Sequence, residues 1–323
     1  MTFPDTAPTI RHIREAARRI APHINRTPVL TSASLDGMTG CRLFFKCENL
    51  QKVGAFKFRG ACHAVSLLDD ARAARGVATH SSGNHAAALA LAARIRHIPS
   101  CIVMPENAPG VKKRAVAGYG AEIVFCRPTL ADREATLEKV IQRTGAEFVH
   151  PYNDYRVIAG QATAALELLA DMPALDFVMA PVGGGGLLSG TALTVRAVSP
   201  ATAVLGAEPA GADDACRSLQ AGRIIPQTHP QTVADGLRTS LGEKTFPIIQ
   251  RLVQEILTVS EDGILQAMRR IWERMKIIIE PSAAVPLAAV FEHPTVFRGR
   301  RVGIILSGGN VDLDHLPWPS TPE

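Results

Sequence analysis

No apolar stretch in this sequence approaches the roughly 20 residues needed to cross a bilayer, and no charged segment followed by an apolar core opens it. Neither a membrane span nor a secretory signal is expected. Cys41, Cys47, Cys62, Cys101, Cys126 and Cys216 include no C-x-x-C pair, and reduced thiols in a cytoplasm are the natural reading. There is no Pro/Ser-rich linker, low-complexity tract or solenoid-length repeat. The net charge of +5 comes from scattered basic residues, and Lys112-Lys113-Arg114 is the one tight cluster. Such a footprint reads as a solvated helix face and gives no reason to expect a nucleic-acid partner.

What is present is an alternation of apolar runs and helical periodicity. Strands are expected at Leu43 to Cys47, Val77 to His80, Cys101 to Met104, Ile123 to Cys126, Phe177 to Val182, Val204 to Ala207 and Val302 to Leu306. Ile10, Ile13, Ala17 and Ile20 recur at helical spacing behind Thr9 as a cap. This is an α/β layout with largely parallel sheets. With 46% hydrophobic and 20% charged residues over 323, the chain can build two core-bearing lobes.

Chemistry concentrates in four motifs. Lys57 lies in Gly54-Ala55-Phe56-Lys57-Phe58-Arg59-Gly60, an amine between two aromatic rings. Apolar surroundings disfavour the ammonium and make a lysine nucleophilic enough to form a Schiff base, although an exposed lysine at a helix start fits the same residues. Ser81-Ser82-Gly83-Asn84-His85 joins a strand to a helix, where free amides favour a carboxylate or phosphate; a plain N-cap and turn is the alternative. Gly183-Gly184-Gly185-Gly186 follows another strand and lets the backbone wrap closely round an anion. It lacks both the GxGxxG spacing and a Gly-Lys-Ser/Thr ending, so neither a dinucleotide nor a triphosphate is expected. Ser307-Gly308-Gly309-Asn310 sets a hydroxyl at the carboxyl end of a buried strand.

In this order, from Thr27-Pro28-Val29-Leu30 to Ser307-Gly308-Gly309-Asn310-Val311-Asp312, these motifs resemble the fold type II pyridoxal-phosphate enzymes, in the branch of serine racemase, threonine dehydratase and 3-hydroxyaspartate dehydratase. The resemblance implies a tryptophan synthase β-like α/β fold with two open twisted sheets flanked by helices. It implies a small domain at 68–155 inserted into a large cofactor-binding domain made of 1–67 and 156–323, a homodimer, and no room after Asp312 for the regulatory domain of biosynthetic threonine dehydratases. Pyridoxal 5'-phosphate would be held covalently by Lys57, with Phe56 packed near the ring and Asn84 on the phenolic oxygen. Gly183, Gly184, Gly185, Gly186 and Leu187 would cradle the phosphate, and Ser307 would face the pyridine nitrogen. A serine there stabilises a carbanion less than an aspartate would, which suits loss of a β-hydroxyl.

The same resemblance makes Lys57 the base on one face and Ser82 a second acid/base on the other, where threonine dehydratases typically carry alanine. A hydroxyl there permits racemisation or use of a D-substrate; a simple turn serine is the plainer reading. Ser81, Ser82, Asn84, His85, Arg133 and Asn153 would contact the small-molecule amino-acid substrate. Arg133 would favour a second carboxylate, or else face solvent. Glu208, Asp214 and the Ala212 carbonyl would bind Mg²⁺, with Ca²⁺ or Mn²⁺ as alternatives; Asp213 or Asp214 capping the next helix is the plainer account. Ala234-Asp235-Gly236-Leu237-Arg238-Thr239-Ser240-Leu241-Gly242 and Glu280-Pro281-Ser282, the latter near the ring edge, also fit this branch. Ala86-Ala87 departs from the Gly-Gln usual in racemases, which alters the pocket floor.

The expected activity is dehydration of serine, threonine or 3-hydroxyaspartate to a 2-oxo acid and ammonia, with serine racemisation. The alternative is a strict L-threonine/L-serine dehydratase. A cysteine synthase typically reads Ser-Gly-Asn-Thr where this chain has Asn84-His85, and a non-catalytic amino-acid sensor would not need Lys57, Asn84, the glycine loop and Ser307 together.

Overall fold

The computed structural model describes residues 3–108 and 110–318. Two sheets organise it. The larger has six strands in the order β1 (Val29–Leu30), β2 (Arg42–Cys47), β10 (Arg301–Leu306), β7 (Phe177–Pro181), β8 (Ala203–Pro209) and β9 (Glu255–Val259). β1 runs antiparallel to β2 and the remaining pairings are parallel. The smaller sheet is parallel throughout, in the order β5 (Glu122–Cys126), β4 (Ser100–Pro105), β3 (Val77–His80) and β6 (Glu147–Phe148).

Central strands are covered by helices on both faces, so they must be apolar on both, and Val302-Gly303-Ile304-Ile305-Leu306 is buried in every residue. Gly303 is needed because a Cβ there would sit 2.7 Å from Leu175 Cδ1 and 3.0 Å from Leu168 Cδ2. Every strand expected from the sequence forms, within two residues at each end. The pairings at Val29–Leu30 and Glu147–Phe148 are too short to carry a period, and Glu255–Val259 opens on an exposed charged residue at the sheet's edge. The helix Ile10–Ile20 buries Ile13, Ala16 and Ile20, with Thr9 at its N-cap donating its amide to His12 Nδ1.

Two helices set the geometry that matters below. Asn84–Ile95 buries alanines all round, as a helix enclosed on every side must. Lys57–Ser66 packs against it and against Tyr155–Asp171. The second contact is backbone to backbone, since a Cβ on Gly160 would lie 2.5 Å from Arg59 O and 2.8 Å from Gly60 Cα. In open α/β sheets, ligands collect beyond the carboxyl ends of the strands. Here β3 leads into Ser81, β7 into Val182-Gly183 and β10 into Ser307.

Candidate active site

Lys57 begins its helix directly after an irregular entry. Val53 and Gly54 take left-handed φ of 56° and 66°, Ala55 bridges Gly308, and Phe56 N donates to Ser307 O at 3.0 Å. That bridge fixes Lys57 beside the end of β10. Its Nζ donates to Pro151 O at 2.8 Å, 5.1 Å from the centroid of the Phe56 ring and 6.0 Å from that of Tyr152. Burial pushes the amine down to about 8, against the opposing pull of Glu280. About a tenth of the amine is then neutral at pH 7, far more than for an ordinary lysine, as a nucleophilic amine requires.

The glycine loop shares a neighbour with it, since Tyr152 lies against both Lys57 and Gly184. Among the described residues, the backbone amides of Gly183 through Leu188 donate to no protein acceptor, although all six residues are buried. Buried amides are rarely left unpaired, so this row is suited to a ligand with several acceptor oxygens. Gly185, with φ of 84°, turns the chain into the helix Gly186–Val198. Side chains are excluded from the loop: a Cβ on Gly184 would lie 2.3 Å from the Tyr152 ring, and one on Gly186 2.6 Å from Gln161 Oε1. Thr245 Oγ1 donates to Gly184 O at 2.9 Å and pins the loop from behind. A phosphate monoester fits such a cradle.

At the third strand end, Gly83 N donates to Ser81 Oγ at 3.3 Å, and the amides of Ser82, Asn84 and His85 find no acceptor among the described residues. They open the helix Asn84–Ile95 and offer a carboxylate its positive end. Asn84 Nδ2 donates to Glu280 Oε1 at 2.8 Å. Burial lifts the Glu280 carboxyl to about 7, with Asp235 adding to the rise. Ser307 is buried at the end of β10.

Three residues assigned to substrate have other neighbours. His85 donates from Nε2 to Val149 O at 3.0 Å, its Nδ1 is bare, and burial drives it down to about 3, so the ring is neutral. Asn153 Oδ1 accepts from Lys244 N at 2.7 Å and lies against Gly242, holding that loop. Arg133, in the first turn of the helix Leu130–Thr144, keeps a buried Nε without a partner among the described residues, and its charge adds to the burial that holds His80 below the usual imidazole range. Lys112 is a correction: it is not simply solvated, because it forms an ion pair with Asp235 beside the larger sheet. Tyr152 was given no role by the sequence, and nothing around it is periodic enough to single it out.

Glu208 and Asp214 are both fully buried. Glu208, at the end of β8, accepts from Ala215 N at 3.0 Å and Cys216 N at 2.9 Å, and burial together with Asp214 pushes it up to about 9. Burial pushes Asp214 up to about 7; its Oδ2 accepts from Leu241 N at 3.2 Å and its Oδ1 has no partner. Ala212 ends the turn Ala210–Ala212 just before. Among the described residues no group of three His, Cys, Asp or Glu could hold a metal. A cation here would rest on two carboxylates, backbone oxygen and water, and the bare Asp214 Oδ1 fits that use.

Comparison with known proteins agrees with this geometry. The chain is 54% identical over 311 residues to a beta-hydroxyaspartate dehydratase of Paracoccus denitrificans (strain Pd 1222), covering 96% of this chain and 99% of that one. It is 50% identical over 319 residues to a serine racemase of Arabidopsis thaliana, covering 97% and 96%. The crystal structure of a threonine deaminase from T.th. superposes with a TM-score of 0.91 at 48% identity, covering 95% and 99%. Residues 20–308, from the first helix to the loop after β10, match the model of one family, and the chain belongs to it: the pyridoxal-phosphate dependent enzymes.

Proposed function

We propose that this enzyme dehydrates a 3-hydroxy amino acid, serine, threonine or 3-hydroxyaspartate, to a 2-oxo acid and ammonia, with serine racemisation as a second outcome. The observation that carries the reading is a buried Lys57 amine and a row of unpaired amides from Gly183 to Leu188 that meet across Tyr152. The names of the relatives support it: a beta-hydroxyaspartate dehydratase, a serine racemase and a threonine deaminase.

Bound here, pyridoxal phosphate supplies an electron sink for the charge left when the α-proton departs. The chain's residues do the rest. Gly183 to Leu187 would hold the phosphate, Ser307 would lie toward the pyridine nitrogen, and Asn84 would donate to the phenolic oxygen, with Phe56 near the ring. The amides of Ser82, Asn84 and His85, with the Ser81 hydroxyl, seat the substrate carboxylate and turn the α-hydrogen toward Lys57. Lys57, drawn down toward neutrality, takes that proton at Nζ. Ser82 offers its hydroxyl to the other face. Arg133, with its unpaired Nε, meets a second carboxylate when the substrate has one.

The remaining assignments rest on the resemblance: Mg²⁺ or a similar cation at Glu208, Ala212 and Asp214, a homodimer, and the cytoplasm, the last consistent with six free thiols. The smaller sheet with its helices would form the lobe at 68–155. Among the described residues no helix is long and apolar enough to cross a membrane.

The test is 2-oxo acid release across L-serine, L-threonine and threo-3-hydroxyaspartate, with chiral analysis of the remaining substrate. Lys57→Ala should abolish release, and borohydride should trap the cofactor on Lys57 alone in the parent. A trapped adduct on another lysine, or no release from any of the three, overturns the proposal.

A further inference from the structure

Asn84, Glu280 and Asn310 close a hydrogen-bonded ring whose members are far apart in the chain. Asn84 Nδ2 donates to Glu280 Oε1 at 2.8 Å, and Asn310 N donates to Glu280 Oε2 at 3.2 Å. Asn310 Nδ2 donates to Asn84 Oδ1 at 2.9 Å and to Val53 O at 2.7 Å. The polarity of this ring is dictated. A backbone carbonyl only accepts, so the Asn310 amide nitrogen must face Val53. Its second N–H then requires an acceptor, which makes the facing atom of Asn84 the carbonyl oxygen and turns Asn84 Nδ2 to the Glu280 carboxyl. Both donors of Asn310 and the acceptor of Asn84 are thereby committed. One N–H of Asn84 has no partner among the described residues.

Two glycines make the ring possible. A Cβ on Gly308 would lie 2.5 Å from Glu280 Oε1 and 3.1 Å from Asn84 Nδ2. One on Gly54, which already needs its φ of +66°, would lie 2.8 Å from Asn310 Oδ1. Gly54 also stands three residues before Lys57, so the ring joins the entry to the lysine helix to the start of the helix Asn84–Ile95.

We infer that Asn310, acting with Glu280, is a positioning residue that locks the Asn84 carboxamide so that its one uncommitted N–H faces the phenolic oxygen of the cofactor. This rests on the family's cofactor and on the role proposed for Asn84, not on which amino acid is turned over. An unlocked amide flips between two orientations, and in one of them it presents a carbonyl oxygen to an anionic oxygen.

Asn310→Asp and Asn310→Ala separate positioning from space filling. Aspartate has the same shape as asparagine but cannot donate to Val53 O or Asn84 Oδ1, and it draws the Asn84 amide round. Alanine merely releases it. The readouts are the equilibrium affinity of the apoprotein for pyridoxal phosphate and the pH dependence of the visible cofactor band, neither of which needs a substrate. The Asp variant should bind about tenfold more weakly than the parent and the Ala variant about threefold. The pH dependence of the band should shift further in the Asp variant. In an Asn84→Ala background both variants should agree within twofold. Ala weaker than Asp, or ratios unchanged by the Asn84→Ala background, overturns the inference. Should the Asp variant not fold, the Ala variant measured in the two backgrounds decides by the same criterion.

Discussion

Arg59 and Glu48 meet in a two-pronged ion pair with neither side chain exposed, Nε to Oε2 at 2.7 Å and Nη2 to Oε1 at 2.8 Å. The guanidinium also reaches Glu167 Oε1 and Oε2, both at 2.8 Å, and Thr163 Oγ1 at 3.2 Å. Lys46 Nζ closes the group on Glu167 Oε2 at 2.6 Å. Two cations and two anions therefore balance inside the fold, two residues beyond the candidate nucleophile. Removing one partner leaves an uncompensated buried charge, which is far more costly than losing a surface pair. Glu48→Gln should lower unfolding stability by about 3–5 kcal/mol, read from urea denaturation midpoints. A loss below 1 kcal/mol would show that water reaches the pair.

The cation proposed at Glu208, Ala212 and Asp214 makes a separate claim on stability. Binding to the folded form alone stabilises by mass action, about 2.7 kcal/mol at a hundredfold excess over Kd. Chelation should therefore lower the melting temperature, Mg²⁺ or Ca²⁺ should restore it, and Asp214→Ala should abolish the restoration. Identical melting curves with and without chelator would remove the site.

Acid sensitivity follows from His63. It is buried, its Nδ1 is 2.7 Å from Arg156 O, and burial holds it down to about 4. The unfolded chain takes up this proton near pH 6.5 while the folded chain refuses it until about 4. Stability from this group is thus complete above the unfolded value and falls as the pH drops between the two. Glu208 and Asp214 act in the opposite direction because burial raises them. The measurement is therefore the difference between parent and His63→Gln. The parent should lose about 2 kcal/mol relative to the variant between pH 7 and pH 5, and a constant difference would show that His63 takes up its proton as readily in the folded chain as in the unfolded one.

What the sequence revealed and what it hid divide along chain separation. The central strands were legible because burial on both faces writes an unbroken apolar run, as at Val302 to Leu306. The Lys57, Ser81 to Asn84 and Gly183 to Gly186 motifs stand out in the sequence because each is confined to a few consecutive residues. Glu280, Asn84 and Asn310 were not legible as a unit, since Asn84 bonds partners 196 and 226 residues away. Lys112 read as solvated because its partner Asp235 lies 123 residues on. Arg59 sat in plain view in the Lys57 motif, but its acids, Glu48 and Glu167, come from the end of β2 and a distant helix.

Ser82 divides dehydration from racemisation. If Lys57 serves one face of the bound substrate and Ser82 the other, Ser82→Ala should retain elimination from the L-3-hydroxy amino acid and lose interconversion with the D-form. The loss should reach about 10² to 10⁴ in rate, the usual contribution of a positioned acid/base. The motivation is a hydroxyl in a turn whose amides at Ser82, Asn84 and His85 are unpaired, together with the threonine dehydratase habit of placing alanine there. Solvent deuterium exchange at Cα, with chiral chromatography of parent and variant, separates the two half-reactions. A parent that neither racemises serine nor consumes a D-substrate reduces Ser82 to a carboxylate or turn residue and makes the enzyme a strict L-dehydratase.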